Sequence, residues 1–500
     1  MICDQNLSQR TTKLMSLVIL LFTVWLLLYR IGELPPIWYD EGFFLTTAKT
    51  FANEGRYGIH LLDYFRIGHI SVGPSVILPI ACAFKIFGVD LIVARLVMAV
   101  FALLSICLVI KLGERLKHSS VGLIAAALIV TDPLQMIGYS AFARNVLGEV
   151  AATTYLLTSI LIWHAHGAKV GSKQNVISGI FAGLAVSAKP QMLLAVALLV
   201  LVRLLFSWHK FKQVKACLLQ QLTFVLGFLL IIGMQTVLLI APVGINAFLE
   251  QMGYLSVAAT RLIVHAGGKD AVDLGNVVDS QRRVVFFALL AACIFLFRKL
   301  NYRNSLLSWE IAAIAIGWQA WFLFVSIGWW RYGFPGYFFT ALIIALALYE
   351  LITVVSAATR LVLIGSLTCL SLFGMRNLIN DFINLPADNS AAQITQYINA
   401  KIPVAAKIET YEWDIAFLLD RTTRFPPLDV HYKFLNRSLD GTNQDYAYRF
   451  WEKDTDYIVV GPFGFLSFEV YPRQALIDYA EPVYGVGKYG LYKLKKTPKG

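Results

Sequence analysis

Long apolar stretches dominate the first three-quarters of the chain, and short polar connectors separate them. A helix that crosses a bilayer needs about 20 mostly apolar residues, because its backbone amides must be satisfied without water. The stretches that fit this pattern predict eleven membrane spans, at 14–32, 91–111, 119–133, 146–165, 175–189, 190–207, 217–241, 284–299, 306–327, 334–355 and 360–375. The first stretch lacks a small-residue cleavage site, so we expect it to be retained as a span.

One further apolar stretch has the wrong length for a span. It runs from Ser75 to Gly88, follows Pro74 and carries Lys85. A stretch this short is typical of a helix that lies at the membrane interface. Counting it as a span would also place the later basic connectors on the opposite side of the membrane.

After residue 375 the pattern changes to short alternating elements. It predicts a helix over Ala391–Ala400, a helix start over Glu412–Leu419, and strands over Ala405–Thr410, Tyr457–Val460 and Gly490–Leu494. We therefore expect a transmembrane domain over 1–375 and a small α/β domain over 376–500. Three aromatic residues of this tail could stack on a glycan, but core positions are favoured for them: Tyr411, Trp413 and Tyr432.

The composition excludes a soluble or disordered protein. The chain has 58% hydrophobic and 15% charged residues, against about 25% charged in an ordinary soluble domain. Residues 376–500 carry 15 basic and 15 acidic side chains, so the whole net charge of +12 belongs to the apolar part. A basic excess in the connectors of an apolar region is typical of membrane topology and not of nucleic-acid binding.

The basic connectors predict which side of the membrane each loop occupies. With eleven spans the dense basic clusters share one side, which the positive-inside rule assigns to the cytoplasm; they include Arg10, Lys13, Lys111, Arg115, Lys117, Lys169, Lys173, Arg203, Lys210, Lys212, Lys215, Arg298, Lys299, Arg303 and Arg360. Arg282 and Arg283 are the clearest exceptions. The outer side then receives 33–90, 132–149, 188–190, 242–283, 328–335 and the tail.

Adjacent carboxylates stand in the first outer loop. Asp40 and Glu41 lie inside the aromatic sequence Trp38–Phe44, where desolvation makes a bare carboxylate costly. A carboxylate there could act as a general base on an acceptor hydroxyl. The alternative is a helix start in which the acidic pair caps exposed amides.

Three further outer segments carry charges beside apolar runs. Glu149 enters a span and could pair with Arg144, either in a site or only to fix the helix end. Lys189, in a turn between two spans, could meet a phosphate or could extend to the interface. Arg331 and Tyr332 could grip a lipid-linked phosphate or form part of an aromatic belt, and Arg95, which enters a span from outside, could join them.

Two acidic and two cationic sites on one membrane face fit a reaction between an anionic lipid-linked donor and an acceptor hydroxyl or amine. A transporter or flippase with a sensing tail is the main alternative. It should carry ionisable groups near the midplane and internal repeats, whereas 217–241 and 334–349 carry no charge and no repeat is visible. A scaffold that merely anchors the tail would leave the outer carboxylates without a role.

On these residues the sequence resembles C-type, polyprenyl-phosphate-sugar-dependent glycosyltransferases. It is similar to the branch with protein O-mannosyltransferases and lipid A aminoarabinose transferases. The resemblance spans most of 14–375 and rests on Asp40–Glu41, Gly73–Pro74, Phe87–Asp90 followed by Ala94–Leu96, Arg144 with Glu149, Gly183–Ala185 leading to Lys189–Pro190, and Arg331–Tyr332 before Pro335. It implies about eleven transmembrane helices with interfacial helices in the first outer loop.

The resemblance also implies a role for each matching residue. Asp40 would be the general base, and Glu41 would orient the acceptor or a bound ion. Glu149 would be the second acidic residue of the cavity. Lys189, Arg331 and Tyr332 would hold the carrier phosphate.

The implied reaction is a single displacement with inversion at the anomeric carbon, which needs one base and no carboxylate nucleophile. The predicted partners are a polyprenyl-phosphate-linked sugar donor, the bilayer, and a lipid, glycan or protein acceptor, with no nucleic acid. No cofactor is assigned, and a divalent metal stays open because some C-type enzymes use one.

The chain departs from the family pattern in two places. Val72–Gly73–Pro74 stands where the family often has His-Pro-Pro, which puts acceptor positioning in the first loop in doubt. The tail does not resemble the β-trefoil insert of eukaryotic mannosyltransferases, which weakens the case for a protein acceptor. The plain loops and compact tail favour a bacterial plasma membrane, with the site and the tail outside the cytoplasm.

Overall fold

The computed structural model describes residues 2–68, 70–134, 138–165, 173–211, 214–263, 276–326, 328–440 and 446–495. Most of this part of the chain is helical. The helices before the C-terminal sheet are α1 (Ile2–Leu28), α2 (Tyr39–Glu54), α3 (Pro74–Phe87), α4 (Leu91–Leu116), α5 (Ser119–Thr131), α6 (Tyr139–Phe142), α7 (Glu149–Ala165), α8 (Lys173–Ala188), α9 (Met192–Phe211), α10 (Val214–Ile240), α11 (Ile245–Ile263), α12 (Asn276–Phe297), α13 (Leu300–Arg303), α14 (Leu306–Phe324), α15 (Trp330–Val354) and α16 (Ala357–Asn384).

Each predicted span coincides with a helix. By length and composition, six of the described helices can cross a membrane: Leu91–Leu116, Met192–His209, Leu218–Ile240, Leu306–Phe324, Trp330–Val354 and Ala357–Asn384. The helices at the other five predicted spans are shorter or more polar. The predicted connector residues Lys169 and Lys212 lie outside the described residues. The prediction of a polytopic helical membrane protein is confirmed.

The first outer loop folds into the short elements that surround the site. Here α3 is the separate short helix that the sequence predicted; it begins at Pro74 and ends at Gly88, whose N–H donates to the Phe84 carbonyl. Two strands not predicted from the sequence, β1 (Gly58–His60) and β2 (Phe65–Ile67), form an antiparallel hairpin between α2 and α3. A side chain at Gly73 would place its Cβ 2.2 Å from the Ser187 carbonyl oxygen, so glycine allows this loop to pass close to the end of α8.

The C-terminal part has a four-stranded sheet in the order β3-β4-β6-β5, formed by β3 (Ile408–Thr410), β4 (Tyr457–Val460), β5 (Ala480–Val486) and β6 (Tyr489–Leu494). The β3–β4 pair is parallel, and β6 runs antiparallel to both of its neighbours. Four helices accompany the sheet: α17 (Ser390–Lys401), α18 (Trp413–Leu418), α19 (Leu428–Asp440) and α20 (Arg473–Tyr479). This confirms the predicted small α/β fold, although β5, α19 and α20 were not predicted.

The C-terminal part packs directly on α2. A Cβ at Gly42 of α2 would lie 2.3 Å from the Asp414 backbone nitrogen of α18, so the two helices touch through backbone atoms. Next to this contact, Phe43 and Trp413 meet edge to face with ring centres 4.8 Å apart. Tyr411, Trp413 and Tyr432 are buried, as favoured from the sequence. The predicted boundary at residue 376 falls inside α16, which continues to Asn384.

Candidate active site

Four segments that are distant in sequence meet around one cavity of about 550 Å³. They are the start of α2, the segment before α7, the turn between α8 and α9, and the start of α15. Four predicted site residues line the cavity: Asp40, Lys189, Arg331 and Tyr332. Another wall comes from the C-terminal part, through Trp413, His431, Leu435, Phe463 and Phe468. Such a concave, largely aromatic pocket with a few convergent polar groups is typical of a substrate site.

Asp40 and Arg331 form an ion pair at the cavity. The Arg331 Nη1 donates to the Asp40 Oδ2 at 2.6 Å, and the Asp40 side chain keeps about one-third of its surface exposed (33%). The Arg331 guanidinium lies 4.8 Å from the ring centre of Trp329. Its Nε is buried and has no hydrogen-bond partner among the described residues. Arg331 therefore keeps an unsatisfied hydrogen-bond donor while it remains bound to Asp40.

Lys189 is the second cation of the cavity. The turn after α8 presents it, and its Nζ lies 2.7 Å from Glu149 Oε1 and donates to the Leu147 carbonyl at 3.1 Å. Glu149 is buried and does not line the cavity. Its position is therefore behind Lys189, where it holds the ammonium group in place.

Arg144 does not pair with Glu149, so the pairing considered from the sequence is wrong. Its Nη1 donates to the Leu34 carbonyl at 2.9 Å, and its Nη2 donates to the Leu26 carbonyl. The guanidinium also lies 4.3 Å from the ring centre of Phe382. Arg144 thus links the last turn of α1 and the segment that follows it to Phe382 of α16.

Glu41 and Arg95 are fully buried against each other. Arg95 Nε and Nη2 donate to the two oxygens of Glu41 at 3.0 and 2.8 Å, and Arg95 Nη1 donates to the Ile31 carbonyl. Glu41 also accepts from the Trp38 backbone N–H, as a cap of α2. Neither residue lines the cavity. The two residues therefore pair with each other and not with the cavity, where Glu41 was expected to orient the acceptor and Arg95 to join the phosphate site.

The lining residues that were not predicted from the sequence include two with an unsatisfied polar atom, Asn145 and Arg66. Asn145 is buried, and its Oδ1 has no hydrogen-bond partner among the described residues. Its place beside Arg144, in a segment already singled out, was an available signal. Arg66 lies in the short strand β2, and nothing in its local sequence indicated a site.

The described residues contain no group of three or more His, Cys, Asp or Glu side chains that could hold a metal ion.

Comparisons with known proteins show what this chain is similar to. Residues 71–233 match the family of dolichyl-phosphate-mannose-protein mannosyltransferases. The fold is similar to that of ArnT from Cupriavidus metallidurans bound to undecaprenyl phosphate, with a TM-score of 0.63 and 14% identity over 97% of this chain and 98% of that chain. It is also similar to the archaeal oligosaccharyltransferase AglB from Archaeoglobus fulgidus in complex with an inhibitory peptide and a dolichol-phosphate.

The match to AglB has a TM-score of 0.58 and 12% identity, and it covers 98% of this chain and 75% of that chain. No curated protein sequence matches significantly. The predicted resemblance is confirmed for the fold, which is similar to that of ArnT and AglB, and for residues 71–233, which match the mannosyltransferase family.

Proposed function

We propose that this protein moves a sugar from a polyprenyl-phosphate carrier to an acceptor hydroxyl or amine, with inversion at the anomeric carbon. The observation that carries the proposal is the shared cavity of one carboxylate, Asp40, and two cations, Lys189 and Arg331. A displacement of this kind needs one base and a cationic site for the leaving phosphate.

Each cavity residue has a defined part in the reaction. Asp40 accepts the proton of the acceptor hydroxyl as its oxygen bonds to the anomeric carbon. The bond between that carbon and the phosphate oxygen breaks, and the carrier leaves as a phosphate anion. Arg331 Nε and Lys189 Nζ stabilise this negative charge, and Tyr332 borders the same end of the cavity. Glu149 acts through Lys189 and is a positioning residue.

The carrier assignment is supported by the ligands of the similar structures. ArnT binds undecaprenyl phosphate, and AglB binds a dolichol-phosphate and a peptide. Undecaprenyl phosphate and dolichol-phosphate are both anionic polyprenyl lipids, and cations such as Lys189 and Arg331 suit their phosphate groups. The acceptor of this chain is a lipid, a glycan or a protein.

We further place the reaction on the outer face of a bacterial plasma membrane, with residues 376–500 as an extracytoplasmic domain on a transmembrane domain of 1–375. The basic connectors support this orientation, because every cavity residue of the membrane part lies in a predicted outer connector or at a span end beside one.

The central test replaces the base. In a strain that lacks this protein, we expect carrier-linked sugar to accumulate, and the wild-type chain should clear it. Asp40→Asn should leave the carrier-linked sugar in place, because an amide cannot accept the acceptor proton. Glycan and lipid profiling by mass spectrometry measures this.

Asp381→Asn is the matched control, because Asp381 is exposed on α16 away from the cavity. It should clear the carrier-linked sugar as the wild type does. Clearance by Asp40→Asn at equal membrane abundance would contradict the assignment of the base.

A further inference from the structure

Arg66 is a buried cation on the cavity wall, in addition to Lys189 and Arg331, the two cations assigned above to the carrier phosphate. Its side chain lines the cavity, yet the residue is only 4% exposed. The guanidinium carbon lies 4.8 Å from the ring centre of Phe43 and 5.5 Å from that of Trp413. We call these three side chains the cage. Arg66 comes from the first outer loop, Phe43 from α2 and Trp413 from the C-terminal part.

The charge of Arg66 is not balanced within the cage. Its polar neighbour is the neutral Tyr432 hydroxyl, and no described carboxylate lies within ion-pair distance. The Nη1 is buried and has no hydrogen-bond partner among the described residues. The other two cavity cations differ, since Arg331 pairs with Asp40 and Lys189 with Glu149. Aromatic rings and a neutral hydroxyl contact this buried cation but supply no counter-charge, so the site suits a ligand of opposite charge.

The position of Arg66 indicates which substrate brings this charge. Phe43 follows Asp40 by three residues on α2, so Arg66 lies over the turn of the helix next to the base. The carrier phosphate has its own cations, Arg331 and Lys189. In a displacement with inversion the acceptor approaches from the side opposite to the leaving phosphate. An anion beside the base that does not belong to the carrier phosphate therefore belongs to the acceptor.

We propose that Arg66 forms a second anion-binding subsite, which takes a phosphate or carboxylate group of the acceptor. The assignment of this anion to the acceptor rests on the proposed function, whereas anion binding at Arg66 does not. Arg66 is then a specificity-determining residue: it selects acceptors that carry a negative group near the reacting hydroxyl.

The binding test uses the full-length protein in lipid nanodiscs saturated with undecaprenyl phosphate, so that the phosphate site at Lys189 and Arg331 is occupied. Glycerol 3-phosphate is titrated as the probe, and tryptophan fluorescence reports binding, because Trp413 is part of the cage. Arg66→Gln should weaken binding about tenfold or more, the loss expected for a charge-assisted hydrogen bond. Arg66→Lys keeps the charge and should retain binding within a few-fold.

The matched control is Arg449→Gln, which removes an exposed arginine that pairs with Glu452. It should bind the probe as the wild type does. Equal binding by Arg66→Gln, or no saturable binding by the wild type, overturns the subsite.

The melting temperature of the unliganded protein separates a ligand site from a structural role. Removal of an uncompensated buried charge should leave the melting temperature of Arg66→Gln equal to or above that of the wild type. A lower melting temperature, with no stabilisation of the wild type by glycerol 3-phosphate, would show that Arg66 only supports the fold.

A third measurement distinguishes the acceptor from the donor sugar as the source of the anion. Membranes from the native host supply the donor, and release of free carrier phosphate is followed without acceptor, so that water takes its place. Arg66→Gln should leave this release unchanged. Slower release would assign the anion to the donor sugar and overturn the acceptor assignment. No release by the wild type, with probe binding intact at Arg66, would count against the proposed function and leave the subsite standing.

Discussion

Lys189 and Arg331 are both cations of the cavity, but their carboxylate partners are placed differently. Asp40 faces the cavity with Arg331, so this carboxylate is available to a substrate. Glu149 is buried behind Lys189 and can act only through it. A carboxylate that contacts a substrate and one that holds a cation should respond differently to mutation.

Glu149→Gln should weaken undecaprenyl phosphate binding and destabilise the protein. It leaves the Lys189 ammonium buried without its partner, and breaking such a pair costs about 3–5 kcal/mol. The melting temperature of the full-length protein and carrier binding in nanodiscs measure the two effects.

The double variant Glu149→Gln, Lys189→Met supplies the control. Removal of both charges should restore the melting temperature, because no buried charge is left alone, but carrier binding should stay weak. A double variant that binds the carrier normally would exclude Lys189 from the phosphate site.

Some residues of the site could be predicted from the sequence, but their pairing could not. Asp40, Lys189 and Arg331 were predicted because a charge beside an apolar run is costly to desolvate and so needs a partner or a ligand. Their partners were not predicted, since Glu41 meets Arg95 across 54 positions and Asp40 meets Arg331 across 291. Proximity in sequence favoured Arg144 for Glu149, whereas the helix packing brings Lys189 to it.

At the scale of elements, α2 joins the membrane part to the C-terminal part. Its first turn carries Asp40, and its next residues contact α18 through Gly42. The C-terminal elements with strong local patterns, such as α17 and β6, could be predicted from the sequence. The edge strand β5 could not, because its largely exposed residues and Pro482 resemble a loop, and its pairing with β6 alone makes it a strand.

Gly42→Ala should disrupt the packing of α18 on α2. The new Cβ would lie 2.3 Å from the Asp414 backbone nitrogen, so one helix must shift. Overpacking of this kind costs roughly 1–3 kcal/mol. We expect a lower melting temperature and a loss of transfer.

Gly233→Ala is the matched control, because this helical glycine of α10 has open space around its Cβ position. It should be neutral or slightly stabilising, since alanine favours a helix more than glycine does. Equal effects of the two substitutions would mean that the contact of α2 with α18 is not important.

The sheet contains a buried carboxyl group that should make stability depend on pH. Burial raises the pKa of Glu409 from its ordinary 4.5 to about 7. Hydrogen bonds from Tyr471, Tyr448 and Thr455 and the charge of Arg424 lower this pKa, but burial has the larger effect. The folded state therefore holds a proton that the unfolded state releases earlier. Between about pH 4.5 and 7 the free energy of unfolding should fall as pH rises, by up to about 1.4 kcal/mol per pH unit.

Glu409→Gln should reduce the difference in melting temperature between pH 5 and pH 8, and it should raise the melting temperature at pH 8. Glu452→Gln, at a half-exposed position, is the control and should leave that difference unchanged. A Glu409→Gln protein with the full pH dependence of the wild type would show that Glu409 does not carry this effect.

At the scale of the whole molecule, the apolar stretches and basic connectors were sufficient to predict a polytopic membrane protein with a small tail. They were not sufficient to show that the tail closes the cavity. Its aromatic residues have the same pattern whether they form only a core or also a wall, and Trp413 is both buried and cavity-lining.

The predicted orientation can be tested by cysteine labelling in a variant without the native cysteines. Val404→Cys, at a highly exposed position of the tail, should react with an impermeant maleimide added to intact spheroplasts. His209→Cys, at an exposed position near the end of α9, should react only after the membrane is opened, because the connector after residue 207 is predicted to be cytoplasmic. Labelling of His209→Cys in intact spheroplasts would contradict the predicted topology.

The cavity wall that Trp413, His431 and Phe468 contribute has a consequence for protein engineering. Exchange of residues 386–500 between homologous proteins would alter acceptor choice. The phosphate site at Lys189 and Arg331, which belongs to the membrane part, would stay the same. Such chimeras would work only if the graft retains the backbone fit of α18 against Gly42, so that helix marks where a recombination junction must not fall.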